Sequence, residues 1–112
     1  MIGGLAHGIE YALFSELAYD SEATPLNSTF MDYLLPTSLD LSDIKVSHLV
    51  NPSPHNILGI KGTGEGGPLW GPPTIVNGVE DALHMSGYSA KLVRVPIIPE
   101  NLVSILNGKK EV

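Results

Sequence analysis

The stretch Gly59-Ile60-Lys61-Gly62-Thr63-Gly64-Glu65-Gly66-Gly67 places a single carboxylate, Glu65, among closely spaced glycines. Glycine carries no Cβ, so the chain can turn tightly and its amides can approach a ligand directly. A carboxylate fixed in such a setting suits a general base. Gly62, Gly64 and Gly67 also satisfy G-x-G-x-x-G. A dinucleotide site needs that motif directly between a strand and a helix. Here Pro68-Leu69-Trp70-Gly71 intervenes and the motif lies past mid-chain, so the dinucleotide reading is set aside. No Lys-Ser or Lys-Thr follows the glycines, which excludes a phosphate-binding P-loop. His48, His55 and His84 are too scattered for a metal set and read as structural. Trp70 reads as a core anchor, and Asp32 as the partner in a structural hydrogen bond.

The elements that must position Glu65 follow from periodicity. Ile2, Leu5, Ala6, Ile9, Ala12, Leu13 and Leu17 recur at helical spacing, with Glu10 and Glu16 off that stripe. Gly3, Gly4 and Gly8 lie inside this helix. Each costs about 1 kcal/mol against alanine, and close approach of another backbone or a ligand is the simplest reason to keep them. A turn over 20–25 is expected to link two strands, the second over 26–35 and stopped by Pro36. The run 44–50 alternates well and reads as the clearest strand. Residues 51–73 form a long Gly/Pro-rich loop. A second helix is expected over 72–85, with proline in its first turn, Ile75, Val76, Val79, Ala82 and Leu83 buried, and Gly87 at its end. A short strand over 91–95 and a last helix from Pro99, with Leu102, Val103, Ile105 and Leu106 inward, complete the chain. The sum is an α+β fold, two main helices packed on a small, mainly antiparallel sheet, in a single domain over 1–112.

Composition bounds what this domain can do. A chain of 112 residues holds one core. With 43% hydrophobic and 16% charged residues it is too apolar for intrinsic disorder. A net charge of −6 argues against nucleic acid as a partner. The absence of cysteine excludes disulfides, thiolate zinc, an iron–sulfur cluster and a cysteine nucleophile in this chain. No apolar run approaches the roughly 20 residues that span a bilayer, and no basic start precedes the apolar opening. A soluble cytoplasmic protein is therefore expected.

Read in order, five segments resemble the C-terminal end of the molybdenum hydroxylases, the family of xanthine dehydrogenase, aldehyde oxidase and the carbon monoxide dehydrogenase large subunit. They are Gly3-Gly4-Leu5-Ala6-His7-Gly8-Ile9, Phe30-Met31-Asp32-Tyr33-Leu34-Leu35-Pro36-Thr37, Asn51-Pro52-Ser53-Pro54-His55-Asn56, the glycine stretch around Glu65, and Gly71-Pro72-Pro73-Thr74-Ile75-Val76-Asn77-Gly78-Val79-Glu80-Asp81-Ala82-Leu83. The resemblance implies a role for each site residue. Glu65 aligns with the family's active-site glutamate, the base that activates an oxygen nucleophile. The amides of Gly62, Thr63, Gly64 and Gly66 would face the cofactor. His7 stands where the family usually carries a cofactor-contacting glutamine; it retains a donor but lacks the amide's paired donor and acceptor.

The same resemblance implies a molybdenum–molybdopterin cofactor, held only in the assembled complex and without a protein ligand to the metal. FAD and iron–sulfur clusters would sit on partner chains. The expected partners are the remaining part of the molybdopterin-binding subunit and the iron–sulfur and flavin subunits. The implied activity is hydroxylation of an aldehyde or N-heterocycle, or oxidation of carbon monoxide, with the isolated chain inactive. Two other readings stand beside it: a non-catalytic remnant that self-associates, and a small anion-binding module built on the glycine loop.

Overall fold

The computed structural model describes residues 1–41 and 43–108. Three helices follow one another, α1 (Ile2–Leu13), α2 (Gly66–Met85) and α3 (Pro99–Leu106). The expected sheet is not there. Among the described residues no strand is paired into a sheet, and the turn over 20–25 closes on one isolated antiparallel bridge between Tyr19 and Pro25. The α+β expectation is thus corrected to three helices joined by irregular chain.

Local hydrogen bonding explains where the strands went. In 26–35, Thr29 turns inward on itself: its hydroxyl donates to Asp32 Oδ2 at 2.5 Å, and its carbonyl accepts the Tyr33 amide at 3.0 Å. Thr37 and Asp40 repeat this clasp, with the Thr37 amide and hydroxyl donating to Asp40 Oδ2 at 2.8 and 2.7 Å. Such side-chain bonds compete directly with a ladder for the backbone. In 91–95 the Leu92 amide donates instead to Glu80 Oε1 at 2.7 Å, and the next buried apolar residue, Ile97, donates to the Ala12 carbonyl at 2.6 Å. The run 44–50 forms no regular element and makes no backbone bond to another segment among the described residues. Alternation marks a strand only when a second backbone lies alongside it.

The helices follow the expected signals more closely. α3 opens on Pro99 with Glu100 in its first turn, which suits both the missing N–H and the positive end of the helix. α2 ends as expected at Gly87, in the left-handed region at φ +88°, and the Tyr88 amide reaches back to the Leu83 carbonyl at 3.0 Å. Its start differs. The helix begins at Gly66, six residues before Pro72, and Pro72 and Pro73 lie inside it. The long loop is therefore shorter than 51–73, and part of it is clasped: the Asn56 side chain both donates to the Ile60 carbonyl and accepts the Ile60 amide, each at 2.9 Å.

α1 packs on α2 through glycine. A Cβ on Gly8 would lie 2.7 Å from the Gly67 carbonyl oxygen and 2.9 Å from Gly71 Cα. A Cβ on Gly67 would collide with the backbone of Gly4 and Leu5. Gly4 and Gly8 on α1 thus mesh with Gly67 and Gly71 on α2, each pair one turn apart, and close approach of a second backbone is the reason for glycine at Gly4 and Gly8, though not at Gly3, which meets nothing within 4 Å.

The core lies away from this crossing. Leu83, Ala90, Leu92, Ile97 and Ile105 form one buried cluster, with Leu13, Val76, Val79 and Leu102 packed around it. Ala82, Val103 and Leu106 are exposed, against expectation, while Glu10 is buried. So small a core leaves much apolar surface in water: Phe30, Leu39, Leu49 and Ile57 are almost fully exposed. The radius of gyration is 17.7 Å, against about 13 Å for a compact chain of this length.

Candidate functional site

Glu65 is the N-cap residue of α2. Its carboxylate makes no capping bond to the first turn and is exposed, so both oxygens remain available as acceptors. The segment before it is open. Gly62, Thr63 and Gly64 are exposed, and a Cβ added at Gly62, Gly64 or Gly66 would meet nothing within 4 Å. The amides of Gly62, Thr63, Gly64 and Glu65 make no hydrogen bond among the described residues, while Gly66 donates weakly to the Thr63 carbonyl at 3.4 Å. A row of free N–H groups at the positive end of a 20-residue helix is a setting that favours an anion.

A groove of about 710 Å³ runs beside this segment, within the size range of small-molecule and cofactor sites. Thr63, Gly64, Gly66 and Trp70 form one wall; Gly4, Leu5 and Ile9 of α1 and residues 44–47 form others. The structure therefore brings three of the candidate residues, Thr63, Gly64 and Gly66, to one groove. Gly62, Glu65 and His7 lie outside its lining. His7 is exposed on α1, one residue before Gly8, with its ring edge-on to Tyr11 at 6.2 Å between centroids. The glycine crossing sets the α1 turn bearing His7 against the first turn of α2.

Two features of the groove were not visible in the sequence. Trp70 is an exposed groove wall and not a core anchor. The run 44–50, read as a strand, contributes a wall through its first residues. Starting α2 at Gly66 accounts for Trp70, because it puts that residue on the helix flank beside the Gly67 and Gly71 contact with α1, where it faces the groove.

A profile of the molybdopterin cofactor-binding domain family matches residues 1–42. The nicotine 6-hydroxylase large subunit of Paenarthrobacter nicotinovorans is 36% identical over 107 residues, 95% of this chain and 13% of that protein. The carbon monoxide dehydrogenase large chain of Afipia carboxidovorans is 38% identical over 80 residues, 71% of this chain and 10% of that protein. Among solved structures, quinoline 2-oxidoreductase from Pseudomonas putida superposes on 96% of this chain with a TM-score of 0.87 and 38% identity, over 13% of its own length. The chain matches a C-terminal segment of the molybdenum hydroxylase large subunit. A Cu,Mo-CO dehydrogenase structure agrees, with a TM-score of 0.83 at 30% identity over 94% of this chain and 13% of that one. The chain spans about an eighth of the length of these hydroxylase relatives, which are large chains of multi-subunit enzymes. Among the described residues, no helix is long and apolar enough to cross a membrane.

The residues present fit a molybdenum–pterin cofactor. Such a group is anionic and needs donors able to reach it, and the open amides from Gly62 to Glu65 are donors with no Cβ in the way at Gly62 and Gly64.

Proposed function

We propose that the chain completes the cofactor site of a molybdenum-dependent oxidoreductase, together with a polypeptide that supplies the rest of the large subunit. The amides of Gly62, Thr63, Gly64 and Gly66 hold the cofactor side of the site, and His7 adds a donor from α1. When bound, the molybdenum–pterin group supplies the redox and oxygen-transfer chemistry that no side chain here offers. Glu65 acts as the general base: its carboxylate accepts a proton from the attacking oxygen nucleophile as substrate is oxidised. The substrate is an aldehyde or an N-heterocycle, or carbon monoxide, and FAD and iron–sulfur groups on partner chains take the electrons. The enzyme works in the cytoplasm.

One observation carries this reading. The Glu65 side chain makes no capping bond at the mouth of a helix, beside the amides of Gly62, Thr63 and Gly64, which have no partner among the described residues. A merely structural N-cap would turn its oxygens back onto the helix. A second reading, a non-catalytic remnant that self-associates, draws on the exposed apolar residues such as Phe30 and Ile57.

Purification from the source cell separates the two. The enzyme reading expects a larger polypeptide to co-purify and the complex to contain molybdenum, read by native mass spectrometry and element analysis. A metal-free homodimer from the same preparation supports the remnant and contradicts the enzyme.

A further inference from the structure

The first turns of α2, which carry Glu65 at their head, are only weakly braced by their own helix. Pro68, Pro72 and Pro73 carry no N–H. Pro68 sits in the first turn, where no helical bond is due, but Pro72 and Pro73 leave the carbonyls of Pro68 and Leu69 without the donor that would lie four residues on. Gly66, Gly67 and Gly71 add backbone freedom and no side-chain packing. Against this weak segment lies the most intimate contact between two elements, the backbone-on-backbone crossing of Gly4 and Gly8 with Gly67 and Gly71. Gly67 is two residues from Glu65.

We propose that this glycine crossing is the device that positions the catalytic base: Gly8 and Gly67 are positioning residues that fix the head of α2, and hence Glu65, by direct contact with α1. The functional half of this statement rests on Glu65 being the base; the mechanical half does not. Because α2 braces its own first turns only weakly, a displacement of α1 by one methyl group is transmitted to Glu65 and Trp70 and is not absorbed locally. The part of α2 beyond Pro73 has intact helical donors and anchors separately in the core through Leu83, so it stays in place.

The test is a set of alanine variants on α1 graded by available space, made in the full chain with any co-purifying partner. Gly3→Ala adds a methyl where nothing lies within 4 Å and is the control for helix propensity. Gly8→Ala adds one 2.7 Å from the Gly67 oxygen. Hydrogen exchange of peptides covering 65–71 and 76–85 is compared, together with the fluorescence of Trp70, the single tryptophan, which sits on the affected turn. Gly8→Ala should speed exchange over 65–71 about tenfold and shift the Trp70 emission, leaving 76–85 unchanged. Gly3→Ala should do neither. Equal acceleration of both peptides means Gly8 only stabilises the molecule as a whole, and overturns the proposal, as does no change at 65–71.

Should Gly8→Ala fail to fold, Gly4→Val takes its place. Its Cβ is accommodated at 3.4 to 3.5 Å from Pro68 and Gly67, and its γ-methyls press on the same turn. The same local acceleration upholds the proposal and its absence overturns it. None of these readouts depends on turnover, so a catalytically silent Glu65→Gln variant in the complex would refute the base and leave the crossing intact.

Discussion

At the scale of single residues, the site is defined by what is not tied down. The Glu65 side chain makes no capping bond to its helix, and the amides of Gly62, Thr63 and Gly64 have no partner among the described residues. The contrast is with carboxylates that are fully committed. Asp20 accepts the amides of Thr24 and Glu22 at 2.9 and 2.8 Å, and these bonds, the Thr24 one foremost, hold its carboxyl below the ordinary value of 3.8. The Thr37 amide and hydroxyl do the same for Asp40. In both, the folded value lies below the unfolded one. The stability each bond set contributes is therefore complete above the ordinary carboxylate value and is lost as pH falls through the depressed folded value. An NMR titration downward from neutral should move the Thr24 and Thr37 amide resonances only in the acid range, and Asp20→Asn should remove the Thr24 transition. A Thr24 amide that titrates near neutrality would contradict the assignment. The glycine cluster around Glu65 was legible from sequence because its signal is local composition. The exposure of Trp70 was not, because it depends on which turn of a helix it occupies.

At the scale of elements, the stability of the helical part rests on a few side chains. Ile105 is 1% exposed in the cluster with Leu83, Leu92 and Ile97. Ile105→Ala should destabilise the chain by about 2–5 kcal/mol, whereas Val103→Ala, on the exposed side of the same helix, should stay within about 0.5 kcal/mol. Denaturant unfolding of the two variants checks the difference, and equal losses would mean α3 does not pack as described. The three helices were legible because apolar period, Pro99 and Gly87 are short-range signals. The sheet was misread for a physical reason. Residues 26–35, 44–50 and 91–95 have strand-like patterns, but a ladder requires a second backbone: the Thr29 carbonyl is taken by the Tyr33 amide, the Leu92 amide by Glu80, and 44–50 has no backbone partner among the described residues. Prolines hid the true start of α2 in the same way. Pro72 looked like a first-turn residue, and the packing of Gly67 and Gly71 on Gly4 and Gly8, more than sixty positions away in sequence, carries the helix back to Gly66.

At the scale of the whole molecule, the chain is more open than its length requires and keeps fully exposed apolar side chains. In the proposed function, this is the surface that meets the polypeptide supplying the rest of the large subunit. Phe30→Ser with Ile57→Ser should change the unfolding free energy by no more than about 0.5 kcal/mol yet reduce recovery of the larger polypeptide in co-purification. Unchanged recovery would place the contact elsewhere. The central claim is that Glu65 supplies the base to a reaction centre completed by that polypeptide. Its most direct test is Glu65→Gln in the purified, molybdenum-containing complex, a change that keeps the shape of the side chain and removes its ability to take a proton. The account predicts that turnover falls by about 10²- to 10⁴-fold with the molybdenum content unchanged; full turnover with molybdenum retained would contradict it.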